Sequence, residues 1–326
     1  LTSPIQTPKD QSHRKCGFVA LIGAPNAGKS TLVNAMVGSK VSIVTQKVQT
    51  TRFPIRGIGI VGDSQLVFVD TPGFFQPKSR LERAMVASAF NSWRDGDQVV
   101  VVVDAQALSH SIGCEGASTP SPADKKAKID LEHLIASLKS HDQKAILALN
   151  KIDGLKRDFL FSLSQYLFDQ GCFTEAFFIS ANTGSGVDDL MNRLAQIIPD
   201  GPWLYPEDQI ADAPMRLLAA EITREKLFLR VHDELPYAAS VNTTAYETRP
   251  DLSIRITQDI LVEREGQKGI IIGHKGQTLK WIGQKAREEL ETMIGVKIHL
   301  ILQVKFAPNW SEDKSTYHQY GLDFEV

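Results

Sequence analysis

The residues best placed to do chemistry are a glycine-rich run around one lysine, Gly23-Ala-Pro-Asn26-Ala27-Gly28-Lys29-Ser30, followed by Thr31. The run leaves a predicted strand and opens a predicted helix, the context in which backbone N–H groups and a helix N-terminus cradle phosphate oxygens. Lys29 would carry positive charge to the outer phosphates, and Ser30 would offer a hydroxyl to Mg²⁺. A second element, Asp70-Thr-Pro-Gly73, follows 40 residues after Ser30. Its carboxylate can hold Mg²⁺ through water, and Gly73 leaves a backbone N–H free to approach a terminal phosphate.

A third element reads the base. The carboxylate in Asn150-Lys151-Ile-Asp153 can accept from the paired N1 and N2 donors of guanine, which adenine lacks. A site built for that pair rejects the wrong base strongly. Ser180-Ala181-Asn182 follows the last predicted strand and fits a backbone contact to the guanine carbonyl. Between the first two elements, Val48-Gln-Thr-Thr-Arg52 lies in a polar stretch. A threonine there, Thr51 in preference to Thr50, can complete a Mg²⁺ shell and sense the terminal phosphate. The candidate set is therefore Lys29, Asp70 and Gly73 for catalysis, with Ser30, Thr51 and Asp70 for the metal. Gly23, Asn26, Ala27, Gly28, Thr31, Asn150, Lys151, Asp153, Ser180, Ala181 and Asn182 complete the nucleotide contacts.

These residues need rigid elements to hold them. Apolar runs at 18–22, 66–70, 98–104, 144–150 and 175–180 read as strands. Amphipathic stretches at 32–37, 81–93, 131–139, 155–168 and 187–197 read as helices between them. The alternation predicts an α/β domain: a mostly parallel sheet with helices on both faces and its ligand at the carboxyl ends of the strands. Residues 109–127, rich in Gly, Ser, Pro and then Lys, read as a surface insertion.

The stretch from Pro199 to Pro214 carries four prolines and little periodicity, and 200–213 within it reads as a linker. Beyond it the pattern is helix, two strands, a short helix, a glycine-flanked loop, a helix and a strand. The loop is Gly269-Ile-Ile-Ile-Gly273-His274-Lys275-Gly276, in which three isoleucines are expected to plug a core and two glycines to bracket a tight turn. Glycines admit a nucleic-acid backbone closely, and His274, Lys275, Lys268 and Lys280 would add donors. From 263 to 305 there are eight basic residues against five acids, within a chain of net charge −2. Local rather than global basicity fits a confined phosphate-facing surface.

Composition sets the outer bounds. With 326 residues, two domains are expected, and 42% apolar with 23% charged residues is ordinary for a globular protein. No apolar run reaches the ~20 residues of a membrane-spanning helix. Cys16, Cys114 and Cys172 are isolated, without metal-ligand or redox spacing. The polar N-terminus lacks the apolar core of a secretory signal. These readings favour the bacterial cytosol, with an organelle matrix as the alternative.

The motif set resembles the translation-factor-related GTPases, and Gln-Thr-Thr-Arg52 with Asp70-Thr-Pro-Gly-Phe74 resembles the Era branch. The C-terminal pattern, αββααβ with Gly273-His-Lys-Gly276, resembles a type II KH domain, whose loop clamps about four single-stranded nucleotides. Val262 to Gly273, Asn309-Trp310-Ser-Glu-Asp313 and Tyr320-Gly321 extend the resemblance across nearly the whole chain. It implies a flexible N-terminus at 1–15, a G domain at 16–199, the linker, a KH domain at 214–308 and a tail at 309–326. It further implies GTP hydrolysis coupled to binding the 3′ end of 16S rRNA during small-subunit assembly, by a monomer with peripheral membrane association. Phe74 stands where many GTPases carry a water-orienting glutamine, so slow intrinsic hydrolysis is expected. Asn26 lies where related GTPases recruit K⁺. The competing expectation is a membrane-associated regulatory GTPase whose KH fold binds proteins, with the helix at 217–231 facing a partner or lipid.

Overall fold

Residues 99–103 are all valine, a run without polar alternation that requires a strand covered on both faces. The computed structural model describes residues 14–45, 47, 50–114, 117–231, 235 and 237–325, and it places these valines inside a seven-stranded sheet. The chain forms two compact units. The first is built from described residues up to 41, 54–75 and 89–212; the second from 42–53, 76–88 and the described residues from 213 on.

The strands of the first unit are β1 (Lys15–Ile22), β2 (Ile55–Val61), β3 (Ser64–Asp70), β4 (Gln98–Asp104), β5 (Ala145–Asn150), β6 (Phe173–Phe178) and β7 (Ala211–Asp212). Their order is β6-β5-β4-β1-β3-β2-β7. From β6 to β3 all neighbours are parallel, and β2 is antiparallel to both β3 and β7. The chain leaves β1 with β3 on one side and β4 on the other, so a crevice opens at the carboxyl end of β1.

Alternation along β1 divides the core. Val19 and Leu21 point to the face covered by α1 (Lys29–Val37) and α6 (Val187–Ile197). Ala20 and Ile22 point to the opposite face, covered by the end of α2 (Arg80–Arg94), α3 (Ala105–Ser111), α4 (Pro122–Ser140) and α5 (Arg157–Phe168). Helix α4 starts where its sequence demands. Ser121 accepts from the Asp124 backbone at 3.1 Å while Asp124 accepts from the Ser121 backbone at 2.9 Å, with Pro122 behind the cap.

In the second unit α7 (Met215–Arg230) and α9 (Gln277–Ile294) pack on a three-stranded sheet of order β10-β9-β8. Here β8 (Ala239–Thr248) is antiparallel to β9 (Ile254–Val262), and β10 (Ile298–Phe306) is parallel to β9. Ala219 and Ile222 of α7 meet Ala286 and Leu290 of α9 over Ile254, Ile256 and Ile298. The short α8 (Glu265–Ile272) precedes the glycine loop, giving the expected αββααβ order.

Four expectations change. Residues 109–127 are not a plain insertion, because α3 runs to Ser111 and α4 begins at Pro122. The stretch 200–213 is anchored: Leu204 and Tyr205 donate to Gln65 Oε1 at 2.9 and 3.0 Å, and β7 pairs with β2. The expected tail at 309–326 is folded over its described residues, 309–325. Trp310, Tyr317 and Tyr320 are buried, and α10 (Lys314–Tyr320) closes on the second unit. Of the three isoleucines, only Ile271 is buried; Ile270 is 60% exposed, because a helix cannot aim three successive side chains at one core. The expected flexible N-terminus lies outside the described residues up to 13, and Lys15 already begins β1. No helix of the described residues is long and apolar enough to cross a membrane.

Candidate functional site

Each chemistry-bearing motif of the first unit sits at the carboxyl end of a parallel strand. After β1 the loop 23–28 turns through Gly23, Asn26 and Gly28, all with positive φ, into α1. A Cβ on Gly23 would lie 2.3 Å from the Val102 carbonyl, and one on Gly28 would lie 2.2 Å from Asn150 Nδ2. Lys29 is buried, and its ammonium donates to the carbonyls of Gly23 and Ala24, both at 3.0 Å. Burial pushes its pKa down from 10.5 to about 8, while the charge of Asp70 acts in the opposite direction. Ser30 Oγ donates to Asp70 Oδ2 at 2.7 Å, and Asp70 is fully buried at the end of β3. A hydroxyl and a buried carboxylate at this distance form a hard-oxygen donor set suited to Mg²⁺.

The Asp70–Gly73 turn is fastened to the glycine loop. Phe74 N donates to the Gly23 carbonyl at 2.9 Å, and a Cβ on Gly73 would meet Pro25 Cγ at 2.9 Å. Thr71 Oγ1 donates to the Leu21 carbonyl at 2.7 Å. The two phosphate-facing loops are thus one rigid piece, with Thr31 half-buried in the first turn of α1.

The depressed lysine has a measurable consequence. Phosphate oxygens favour charged Lys29, so nucleotide binding should raise its pKa. Lys29 should take up no proton near pH 6.5 and close to one near pH 9. Affinity should then fall by up to about tenfold per pH unit above 8. Calorimetric titration of GDP in buffers of different ionisation enthalpy reads this, and zero uptake at pH 9 would contradict the assignment.

Asn150 is the hinge of the base-facing side. Its Nδ2 donates to the Ala27 carbonyl at 2.8 Å, and its Oδ1 accepts from Ala181 N at 2.9 Å. One side chain therefore ties the glycine loop to the 180–182 turn. Ser180 and Ala181 are buried, whereas Asn182 and Asp153 are exposed. Lys151 has a positive φ of 64°, and its ammonium meets Asp104 Oδ2 at 2.6 Å. Sequence reasoning missed Asp104 and Gln106; the available signal was a strand-ending carboxylate on β4 that matches Asp70 on β3. Thr51 is buried in the second unit, in the segment 42–53.

In the second unit Gly273 and Gly276, with φ of 72° and 77°, bracket exposed His274 and Lys275. A Cβ on Gly273 would lie 2.3 Å from Thr278 Oγ1. Beside the loop, a groove of about 440 Å³ runs between α9 and β10, lined by Gly276, Leu279, Lys280, Gly283, Arg287 and Leu302 among others. A Cβ on Gly283 would lie 3.3 Å from Leu302 Cδ1, so the helix can stand close to the strand. An apolar floor with cationic rims fits unstacked bases and their phosphates. Lys268 is apart from this groove lining and is paired with Glu265 at 3.5 Å. Trp281 is half-buried with the Arg230 guanidinium 5.4 Å from its ring centre.

The parallel sheet with its glycine-rich loop between β1 and α1 and its motif-bearing turns at the strand ends, in one chain with an αββααβ unit and a glycine-bracketed loop, defines a P-loop GTPase joined to a KH domain. The family described as 50S ribosome-binding GTPase matches residues 18–151, and the KH domain family matches 234–311. GTPase Era of Caulobacter vibrioides is 57% identical over 315 residues, covering 97% of this chain and 98% of its own. That of Brucella suis is 51% identical over 323 residues, covering 99% and 98%. The solved structure of Era with MgGDPNP and nucleotides 1506–1542 of 16S ribosomal RNA superposes with a TM-score of 0.82 at 34% identity, covering 95% of this chain and 99% of that one. An Aquifex aeolicus Era variant bound to GDP·AlF4⁻ gives 0.81 at 35% identity, covering 94% and 99%. The chain belongs to the Era family of GTPases. It is an enzyme that hydrolyses GTP to GDP and phosphate, with Mg²⁺ as its metal.

Proposed function

We propose that this chain binds the 3′ end of 16S rRNA through the groove beside Gly273–Gly276, under control of its nucleotide state, and acts in small ribosomal subunit assembly. The observation that carries the coupling is the division of the chain. Segments 42–53 and 76–88, which adjoin the nucleotide motifs in sequence, are built into the KH-containing unit. Thr50 is held there by Arg224, and Glu225 accepts from Val44 N at 3.0 Å. A nucleotide that favours Thr51 at its metal therefore competes with those bonds. It shifts the equilibrium by its differential affinity for the two arrangements. The related Era complex holds both a GTP analogue and the rRNA fragment.

At the nucleotide, Gly23, Asn26, Ala27 and Gly28 supply backbone donors, Lys29 charge, and Ser30 and Asp70 the metal ligands. Mg²⁺, when bound, neutralises charge on the phosphate oxygens. Gly73 presents its N–H to the terminal phosphate, while Asp153 and the 180–182 turn read the guanine. Phe74 has no group to orient water, which fits slow intrinsic turnover. Asn26, in the glycine-rich loop, is proposed to recruit K⁺ beside the phosphates. Turnover several-fold faster in K⁺ than in Na⁺ is expected, and equal rates would remove the ion from the scheme.

Glu221, Arg224 and Glu225 of α7 are buried, which supports a structural role for that helix. The reading makes the protein a cytoplasmic monomer, in sedimentation as well, that meets the inner membrane face only peripherally. Its test is binding of an RNA fragment with the small-subunit 3′-end sequence. Binding should be at least tenfold tighter with a non-hydrolysable GTP analogue than with GDP, and His274→Ala/Lys275→Ala should weaken it by about tenfold or more. Equal affinity in both nucleotide states would end the coupling. No binding in either would favour KH as a protein-interaction module.

A further inference from the structure

Asp104 closes β4 opposite Asn150, which closes β5, so it stands beside the guanine-specifying turn. Its two oxygens do different work. Oδ1 accepts from Ala107 N at 3.0 Å and caps α3, while Oδ2 holds the Lys151 ammonium at 2.6 Å. One residue into the same helix, Gln106 Nε2 donates to the Asp153 carbonyl at 3.0 Å. The first turn of α3 thus grips the turn at two points, the Lys151 ammonium and the Asp153 carbonyl, and Lys151 has a left-handed backbone conformation. Asn150 fixes only the front of the turn, through Ala27 and Ala181.

We infer that the first turn of α3 is a positioning element for base selection. Asp104 stretches Lys151 so that its stem walls the base site, and Gln106 sets the backbone from which the Asp153 carboxylate is presented. This rests on the guanine-binding role of Asp153 proposed above. The element acts at the base end alone. The side-chain hydrogen bonds of both residues go to α3 and to the 150–153 turn. Its loss therefore loosens purine discrimination and leaves phosphate binding and the chemical step intact. Asn is as good an N-cap as Asp, so Asp104→Asn keeps the helix and removes the charge that holds Lys151.

The test compares wild type, Asp104→Asn and Gln106→Ala for affinity toward GDP, inosine diphosphate, ADP and inorganic triphosphate, with steady-state GTP hydrolysis beside them. The Lys151–Asp104 pair is partly solvated, so a modest effect is expected. GDP affinity should fall about fivefold in Asp104→Asn and about threefold in Gln106→Ala. The preference for GDP over inosine diphosphate should shrink in step. Triphosphate affinity and kcat should stay within twofold of wild type while KM rises. Unchanged GDP affinity and base preference in both variants would overturn the inference. So would equal losses toward GDP and triphosphate, which indicate general loosening; melting curves of the free proteins identify a folding defect in either variant. If wild type itself fails to prefer GDP over ADP, it is the guanine reading that falls.

Discussion

Replacing Asp153 by Asn is expected to lower GTP affinity by about 10⁴-fold and to raise affinity for xanthosine triphosphate. Asp153 ends a turn whose other members are already committed: Asn150 to Ala27 and Ala181, Lys151 to Asp104. Its exposed carboxylate is the one side chain of that turn left to face a base. Guanine offers two donors, N1–H and the N2 amine, and a carboxylate accepts both. An amide places an N–H against the N2 amine, donor against donor, and leaves one bond. Xanthine carries an oxygen in place of that amine, so the amide pairs with it and with N1–H. Equilibrium titration with both diphosphates and triphosphates checks the swap. A variant that loses GTP without gaining the xanthosine nucleotide would place guanine selection elsewhere, and unchanged GTP affinity would remove Asp153 from the base site.

The groups with local signals were legible in advance. A glycine-rich turn between a strand and a helix is written in consecutive residues, and so are strand-ending Asp70 and Asn150. Helix α6 matched its expected span because its apolar period is regular and Gly186 precedes it. What escaped was set by distant neighbours. Strand β2, Ile55–Val61, contains Gly57 and Gly59, which weaken any strand signal. The reason for Gly57 lies on α1, where a Cβ would lie 2.8 Å from Val37 Cγ2. Residues 42–52 read as a polar stretch, yet Thr51 and Arg52 are buried, as is the following Phe53, stacked at 5.3 Å on Tyr320, which lies far along the chain. The Asp104–Lys151 pair joins residues 47 apart, and no spacing rule links them.

The same long-range packing sets the other large effect. Glu221→Gln is expected to destabilise the KH-containing unit by about 3–5 kcal/mol. Helix α7 buries its apolar residues on the sheet, but Glu221, Arg224 and Glu225 are buried as well. Charges are almost never fully buried unless paired. Here Arg224 Nε donates to Glu221 Oε1 at 2.7 Å, and the same guanidinium reaches Glu221 Oε2 and the Thr50 carbonyl. A second guanidinium, Arg52, is also buried, donating to the Tyr237 carbonyl at 3.2 Å and lying 5.2 Å from the centre of the Trp310 ring. Burial, then the charge of Arg224, holds the Arg52 pKa below its usual value, with Tyr320 and Glu221 opposing. Glu221 thus pairs directly with Arg224, and its charge also acts on Arg52. Glutamine keeps the shape and an acceptor but removes the charge, leaving Arg224 uncompensated at that contact. Glu221→Leu/Arg224→Met deletes the pair together and should cost clearly less than Glu221→Gln, because Arg224, the cation bonded directly to Glu221, is no longer left stranded. Urea unfolding followed by tryptophan emission separates the cases. A loss below about 1 kcal/mol for Glu221→Gln would mean that water reaches the cluster and screens it. A full loss should come with faster proteolysis within 42–53, since Arg224 then holds the Thr50 carbonyl without the partner that orients it.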